Sequence, residues 1–197
     1  MRNSFAFITV PVLFALAAQA GELPQEPIVE LLVRGESAPV DVGSDYLFGL
    51  PEIALADQAA SAGGMVRNEG KGDFRSSCVS DGHRTVWFLS DASSYEGEPY
   101  LTAIVVSAIP PASDTCQATA GIEDVPADTQ LPGIGAPQAD IEARFGPLEL
   151  SEAGLVAFRS HDVLGDGADS WELVKTVTYH LEDGVVDAVA YEQVTIH

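Results

Sequence analysis

The sequence predicts an α+β protein built as two tandem units, each a short helix packed on an antiparallel β-meander. Three observations support it. Two short segments read as helices, and each is followed by three strand-like segments. The element order and spacing agree between the two halves. Short motifs recur at nearly constant offset: Phe74-Arg75-Ser76 is echoed by Phe158-Arg159-Ser160, Thr85-Val86 by Thr176-Val177, and Pro51 by Pro137. Agreement of order and spacing is stronger evidence of a repeat than any tripeptide match. On this reading Phe74 and Phe158, and likewise Ile104 and Val189, occupy equivalent places facing their helices.

The chain begins with a segment that reads as a cleavable secretory signal, residues 1–20. Arg2 supplies the positive end, an apolar run follows over 5–16, and Ala18-Gln19-Ala20 offers small residues to the peptidase. The run is too short for the roughly 20 apolar residues that a membrane span requires. Gly21, not Cys, follows the cut, so no lipid attachment site is expected there. The mature protein is expected to be soluble, without membrane insertion, and periplasmic or secreted.

Within the mature chain, 21–111 is read as the first helix-plus-sheet unit with an N-terminal strand at 28–33. Its helix is placed at 51–62, because Pro51 suits a first helical turn, Glu52 suits the positive helix end and Gly63-Gly64 terminates it. Leu50, Ile53 and Ala54 supply its apolar face. Strands are expected at 74–79, 85–90 and 100–109. The last is apolar on both faces, which places it at the centre of a sheet or under cover on both sides, and Pro110-Pro111 stops it. Residues 112–131 carry few large apolar side chains and read as a linker tied down by Cys116. The second unit is 132–197. Pro137 opens its helix at 137–145, Ile141 and Phe145 lie one turn apart, and Gly146-Pro147 ends it. Strands are expected at 155–160, 173–181 and 185–194, with Asp183-Gly184 as a two-residue hairpin turn.

From Gly135-Ala136-Pro137 through Gly146-Pro147 to Asp183-Gly184, the second half resembles a known family. The shared pattern is a turn, a short helix with an apolar residue near its middle (Ile141), a Gly-Pro stop and a meander ending in an Asp-Gly hairpin. It looks like the small outer-membrane assembly lipoprotein domain, and like the β-lactamase inhibitor protein family, whose fold is two such units in tandem. The resemblance covers about 132–194, and more weakly 50–109. Its motifs are turn and packing residues, so what it implies is a fold and, by analogy, a protein-binding role.

Charge narrows the partner classes. There are 30 acidic residues against 9 basic ones, a formal net charge of −21. Removal of residues 1–20 takes away Arg2 and moves −21 to −22. A field of this sign repels phosphate backbones and anionic lipid, and favours basic proteins and cations. Acidity also serves plain solubility. Nucleic acid is therefore not expected as a partner, and a protein is.

Two cysteines, Cys78 and Cys116, fit no metal or redox spacing. In an exported chain the expected state is a single disulfide between them. No catalytic, cofactor or metal set stands out. There is no Gly-x-Ser-x-Gly elbow, and the glycines around Lys71 lack the spacing of a phosphate loop. His83 sits in a turn, His161 beside Asp162 at a strand end, His180 on the solvent side of its strand, and His197 at the terminus. Any of them can serve as a base, but solvated histidines are the commoner case. Asp162, Asp166, Asp169 and Glu172 share one loop and invite a calcium reading. The spacing fails the EF-hand template, and Asp with Gly is the ordinary composition of a surface loop. Trp87, Tyr95 and Tyr100 form either an exposed aromatic patch of the kind that anchors interfaces or, for Trp87, part of the core, since both faces of its strand are apolar. The functional expectation is an exported, non-catalytic binding module recognising another protein. Its rivals are a secreted hydrolase and a calcium-stabilised structural protein.

Overall fold

The computed structural model describes residues 38–39, 42, 46–48, 50, 52–68, 74–91, 99–108, 116–119, 122, 131–167 and 170–196. The signal-like segment, the strand expected at 28–33 and Tyr95 lie outside them.

Among the described residues the strands form one continuous nine-stranded sheet. They are β1 (Ala38–Pro39), β2 (Arg67–Asn68), β3 (Phe74–Ser80), β4 (Thr85–Asp91), β5 (Ala103–Ser107), β6 (Gln117–Ala118), β7 (Leu155–Leu164), β8 (Trp171–Glu182) and β9 (Val185–Ile196). Their order is β1-β7-β8-β9-β5-β4-β3-β2, with β6 pairing with β3. The short strands β1 and β6 pair in parallel with β7 and β3, and every other pairing is antiparallel. Two short helices are present among the described residues, α1 (Leu55–Ser61) and α2 (Gln138–Phe145).

This architecture corrects the expectation of two helix-on-meander units. The halves share one sheet because β5 pairs with β9, with Val105 opposite Ala190 and Ile104 opposite Tyr191. An exposed strand edge presents unpaired N–H and C=O groups, and joining the two meanders edge to edge satisfies them. The apolar character of β5 on both faces fits its position: Ala103, Ile104, Val105 and Val106 are all buried, near the middle of the sheet.

Both helices lie on the same face. Leu55 of α1 and Ile141 of α2 belong to one core with Val86, Phe88, Ile104, Phe158 and Tyr179. Phe145 stacks on Phe158 with ring centroids 4.1 Å apart, which seats the end of α2 on β7. The helix starts are tied to the sheet through backbone groups. Leu55 N–H donates to the Pro99 carbonyl (2.9 Å), and Gln138 N–H donates to the Gly184 carbonyl (2.8 Å). Neither helix has a side-chain N-cap, so these tertiary bonds take that role.

The opposite face carries a smaller cluster where the halves join: Cys78, Trp87, Leu89, Val105, Ala188 and Ala190, with Cys116 packed against it. Cys78 and Cys116 are disulfide-bonded, with Cα atoms 4.8 Å apart. The bridge holds the segment bearing β6 against β3. With the cysteines 38 positions apart, a loop of this size stabilises by about 4 kcal/mol in the chain-entropy model. Of the segment expected to be a linker, residues 116–118 are thus tied to the first half, and Ile122 is buried in the helix-side core.

Candidate functional site

With α1 and α2 on one face, the other face of β7–β9 carries no helix among the described residues. Strand register defines what that face presents. Its rows run Leu155–His180–Ala188, Ala157–Thr178–Ala190, Arg159–Thr176–Glu192, His161–Val174–Val194 and Val163–Glu172–Ile196. Side chains of one row stand side by side across the strands, and alternation puts the intervening residues in the core.

The face grades from polar and covered to apolar and exposed. In the middle rows Thr176 and Thr178 are buried, and Arg159 Nε donates to Thr176 Oγ1 at 3.2 Å. Toward the end of the sheet Val163, Val194 and Ile196 are 64%, 44% and 48% exposed. Set among them, His161 Nε2 lies 3.1 Å from Glu172 Oε2, both side chains about half exposed. An exposed ion pair of this kind contributes little stability, at most about 1 kcal/mol. Exposed β-branched side chains grouped on a sheet face are a more informative feature than scattered ones.

At the other end of the face, His180 Nδ1 meets Asp187 Oδ1 at 2.5 Å, where the β8–β9 register shifts between His180 and Leu181. This is the orienting half of an acid–base dyad, with Nε2 left for a reacting partner. Gly154 lies beside the ring: it has φ +75°, and a Cβ there would come within 2.7 Å of the Leu181 carbonyl and 3.6 Å of Nε2. The pair ties the two strands together where their register shifts.

The helix side of the same strands holds a buried lysine paired with a partly exposed carboxylate. Lys175 is 2% exposed, and its Nζ lies 3.0 Å from Asp162 Oδ2. Its cross-strand neighbour Gln193 accepts a hydrogen bond from Leu47 N–H (2.7 Å) and donates to the Leu50 carbonyl (2.8 Å). These bonds secure the segment around Leu47 to the sheet.

The residues singled out from sequence are dispersed. Trp87 is buried beside the disulfide, 4% exposed, which removes it from any exposed patch. Tyr100 is 37% exposed and stands at an isolated bridge to Ala54. His83 is exposed in the β3–β4 turn, where its N–H donates to Asp81 Oδ1 at 2.8 Å. Two carboxylates of the calcium reading are otherwise engaged, Asp162 with Lys175 and Glu172 with His161. No cluster of three or more His, Cys, Asp or Glu able to hold a metal occurs among the described residues. No helix among them is long and apolar enough to cross a membrane.

Sequence reasoning missed Val163 and Ile196. The expected strands stopped at residues 160 and 194, whereas β7 runs to Leu164 and β9 to Ile196. The signal was available: Val163 keeps the alternation of Arg159 and His161, and Ile196 that of Val194. Compared with protein-family models, curated proteins and solved structures, the chain matches none.

Proposed function

We propose that this chain is an exported, non-catalytic binding module that recognises another protein of the envelope or medium. The observation that carries the reading is the exposed group of Val163, Val194 and Ile196 on the helix-free face of β7–β9. Burial of β-branched side chains on association is favourable at about 25 cal/mol per Å², and a rigid sheet presents them with little ordering cost. The signal-like residues 1–20 and the Cys78–Cys116 disulfide support export. The resemblance of 132–194 to the inhibitor and lipoprotein domains supports a protein partner.

Two measurements test it. Mass spectrometry of the exported protein is expected to find Gly21 at the N-terminus without an acyl group, and an intact Met1 would sink the export claim. Hydrogen exchange of the purified chain, with and without the organism's own secreted and periplasmic proteins, is expected to show saturable protection confined to β7–β9. Uniform exchange under both conditions would defeat the binding reading.

A further inference from the structure

The exposed rows at the end of β7–β9 offer a partner aliphatic groups and carboxylates, and little positive charge. From residue 132 on, the basic residues are Arg144, Arg159 and Lys175. Arg144 lies on α2, on the other side of the sheet. Lys175 is buried on the helix side against Asp162. Arg159 is half-buried and bonded to Thr176. What faces outward with Val163, Val194 and Ile196 is Glu172, 48% exposed and paired with His161, with Asp166 exposed in the adjoining loop; Glu192 lies two rows behind Glu172, in the row of Arg159.

We propose that this face docks a basic protein, one that sets aliphatic side chains against Val163, Val194 and Ile196 and brings Lys or Arg to Glu172 and Asp166. The inference rests on the binding reading above and adds the partner's chemistry. Two independent observations meet here, apolar exposure and the sign of the charge around it. A second copy of the chain is the wrong occupant, because it would bring together two bodies of formal charge −21, and like charges facing across an interface cost several kcal/mol. Two rows on three strands make a patch smaller than the roughly 800 Å² per partner of a stable complex. The aliphatic groups therefore form the interface centre and the carboxylates its rim. Rim charges act mainly on the association rate, which falls as salt screens them.

The test uses the full mature chain with its disulfide intact, immobilised. The organism's own secreted and periplasmic proteins are divided on a cation exchanger into a basic and an acidic fraction, and each is passed over the wild type and over V163S/V194S/I196S. Wild type is expected to retain a protein from the basic fraction and release it in about 0.5 M salt. The triple variant, or V163S alone should the triple variant melt early, is expected to retain about tenfold less. E172Q/D166N is expected to slow association severalfold with little change in dissociation. Retention from the acidic fraction alone overturns the proposal while leaving the binding reading intact. So does retention from the basic fraction that the folded triple variant keeps in full. Sedimentation showing a dimer lost in V163S/V194S/I196S identifies a second copy and also overturns it. No retention from either fraction by a monomeric wild type defeats both the proposal and the reading it rests on.

Discussion

Lys175 shows how the environment of one residue sets the direction of its mutational effects. Its ammonium is withdrawn from water, whereas the carboxylate it meets, on Asp162, remains 45% exposed. Removing one member of such a pair is costly when the survivor is buried and mild when water can reach it. Asp162→Ala is therefore expected to destabilise the fold by about 3 kcal/mol, and Lys175→Met by less than about 1.5 kcal/mol. Urea unfolding of the two variants checks the asymmetry, and equal losses would show that Asp162 does not hold the lysine. Asp81 provides a second case, this time in acid. Its carboxyl is held below the ordinary 3.8, first by the Arg84 backbone N–H and then by that of His83. A depressed folded value means the stabilisation is complete above the unfolded pKa and disappears as pH falls through the folded one. Asp81→Asn is expected to show a shallower loss of stability than wild type below about pH 4. Parallel curves between pH 2 and 5 would remove Asp81 from the acid response.

At the scale of elements, local punctuation was readable and long-range pairing was not. Gly146 takes φ +93° where α2 stops, and Asp183 and Gly184 take φ +52° and +78° between β8 and β9. Two successive positive φ values define the tight hairpin turn whose twist matches its strands, and Asp-Gly is the sequence that adopts it. A Cβ at Gly184 would meet nothing within 4 Å, so Gly184→Ala isolates the backbone strain. It is expected to cost about 1–2 kcal/mol, read as a lowered thermal midpoint, and an unchanged midpoint would mean the turn does not anchor the hairpin. The pairing of β5 with β9 had no such local sign. The apolar residues on both faces of β5 said that it would be central or covered on both sides but did not name its neighbour, and the similar halves suggested two closed units. The exposed rows of the candidate face were hidden for a related reason. Val163 and Ile196 continue the alternation past the expected strand ends, and their exposure depends on both helices lying on the opposite side. The aromatic candidates went the other way, because Trp87 fills the space beside Cys78 and Cys116.

The whole molecule combines one continuous sheet, helices on a single face and a large excess of negative charge. A formal net charge of −21 on 197 residues makes the compact state repel itself, since folding brings carboxylates closer than the unfolded chain does. Among the described residues Lys175 and Arg84 lie near Asp162 and Asp81, but 9 basic residues cannot neutralise 30 acidic ones. Screening therefore acts mainly on repulsion. The Debye length falls from about 30 Å at 0.01 M salt to about 8 Å at 0.15 M and about 3 Å at 1 M, so most of the relief comes early. The thermal midpoint is expected to rise by several degrees between about 0.01 and 0.3 M sodium chloride, and then to flatten. The Lys175–Asp162 pair is screened less, because its ammonium is buried, and does not reverse the trend. Sodium chloride and potassium chloride are expected to act alike, since screening depends on ionic strength and not on a bound cation. A midpoint that falls with salt would mean that attractive pairs dominate the surface. One that rises only with a particular divalent ion at micromolar concentration would point instead to a specific cation site and revive the calcium reading of the loop between β7 and β8.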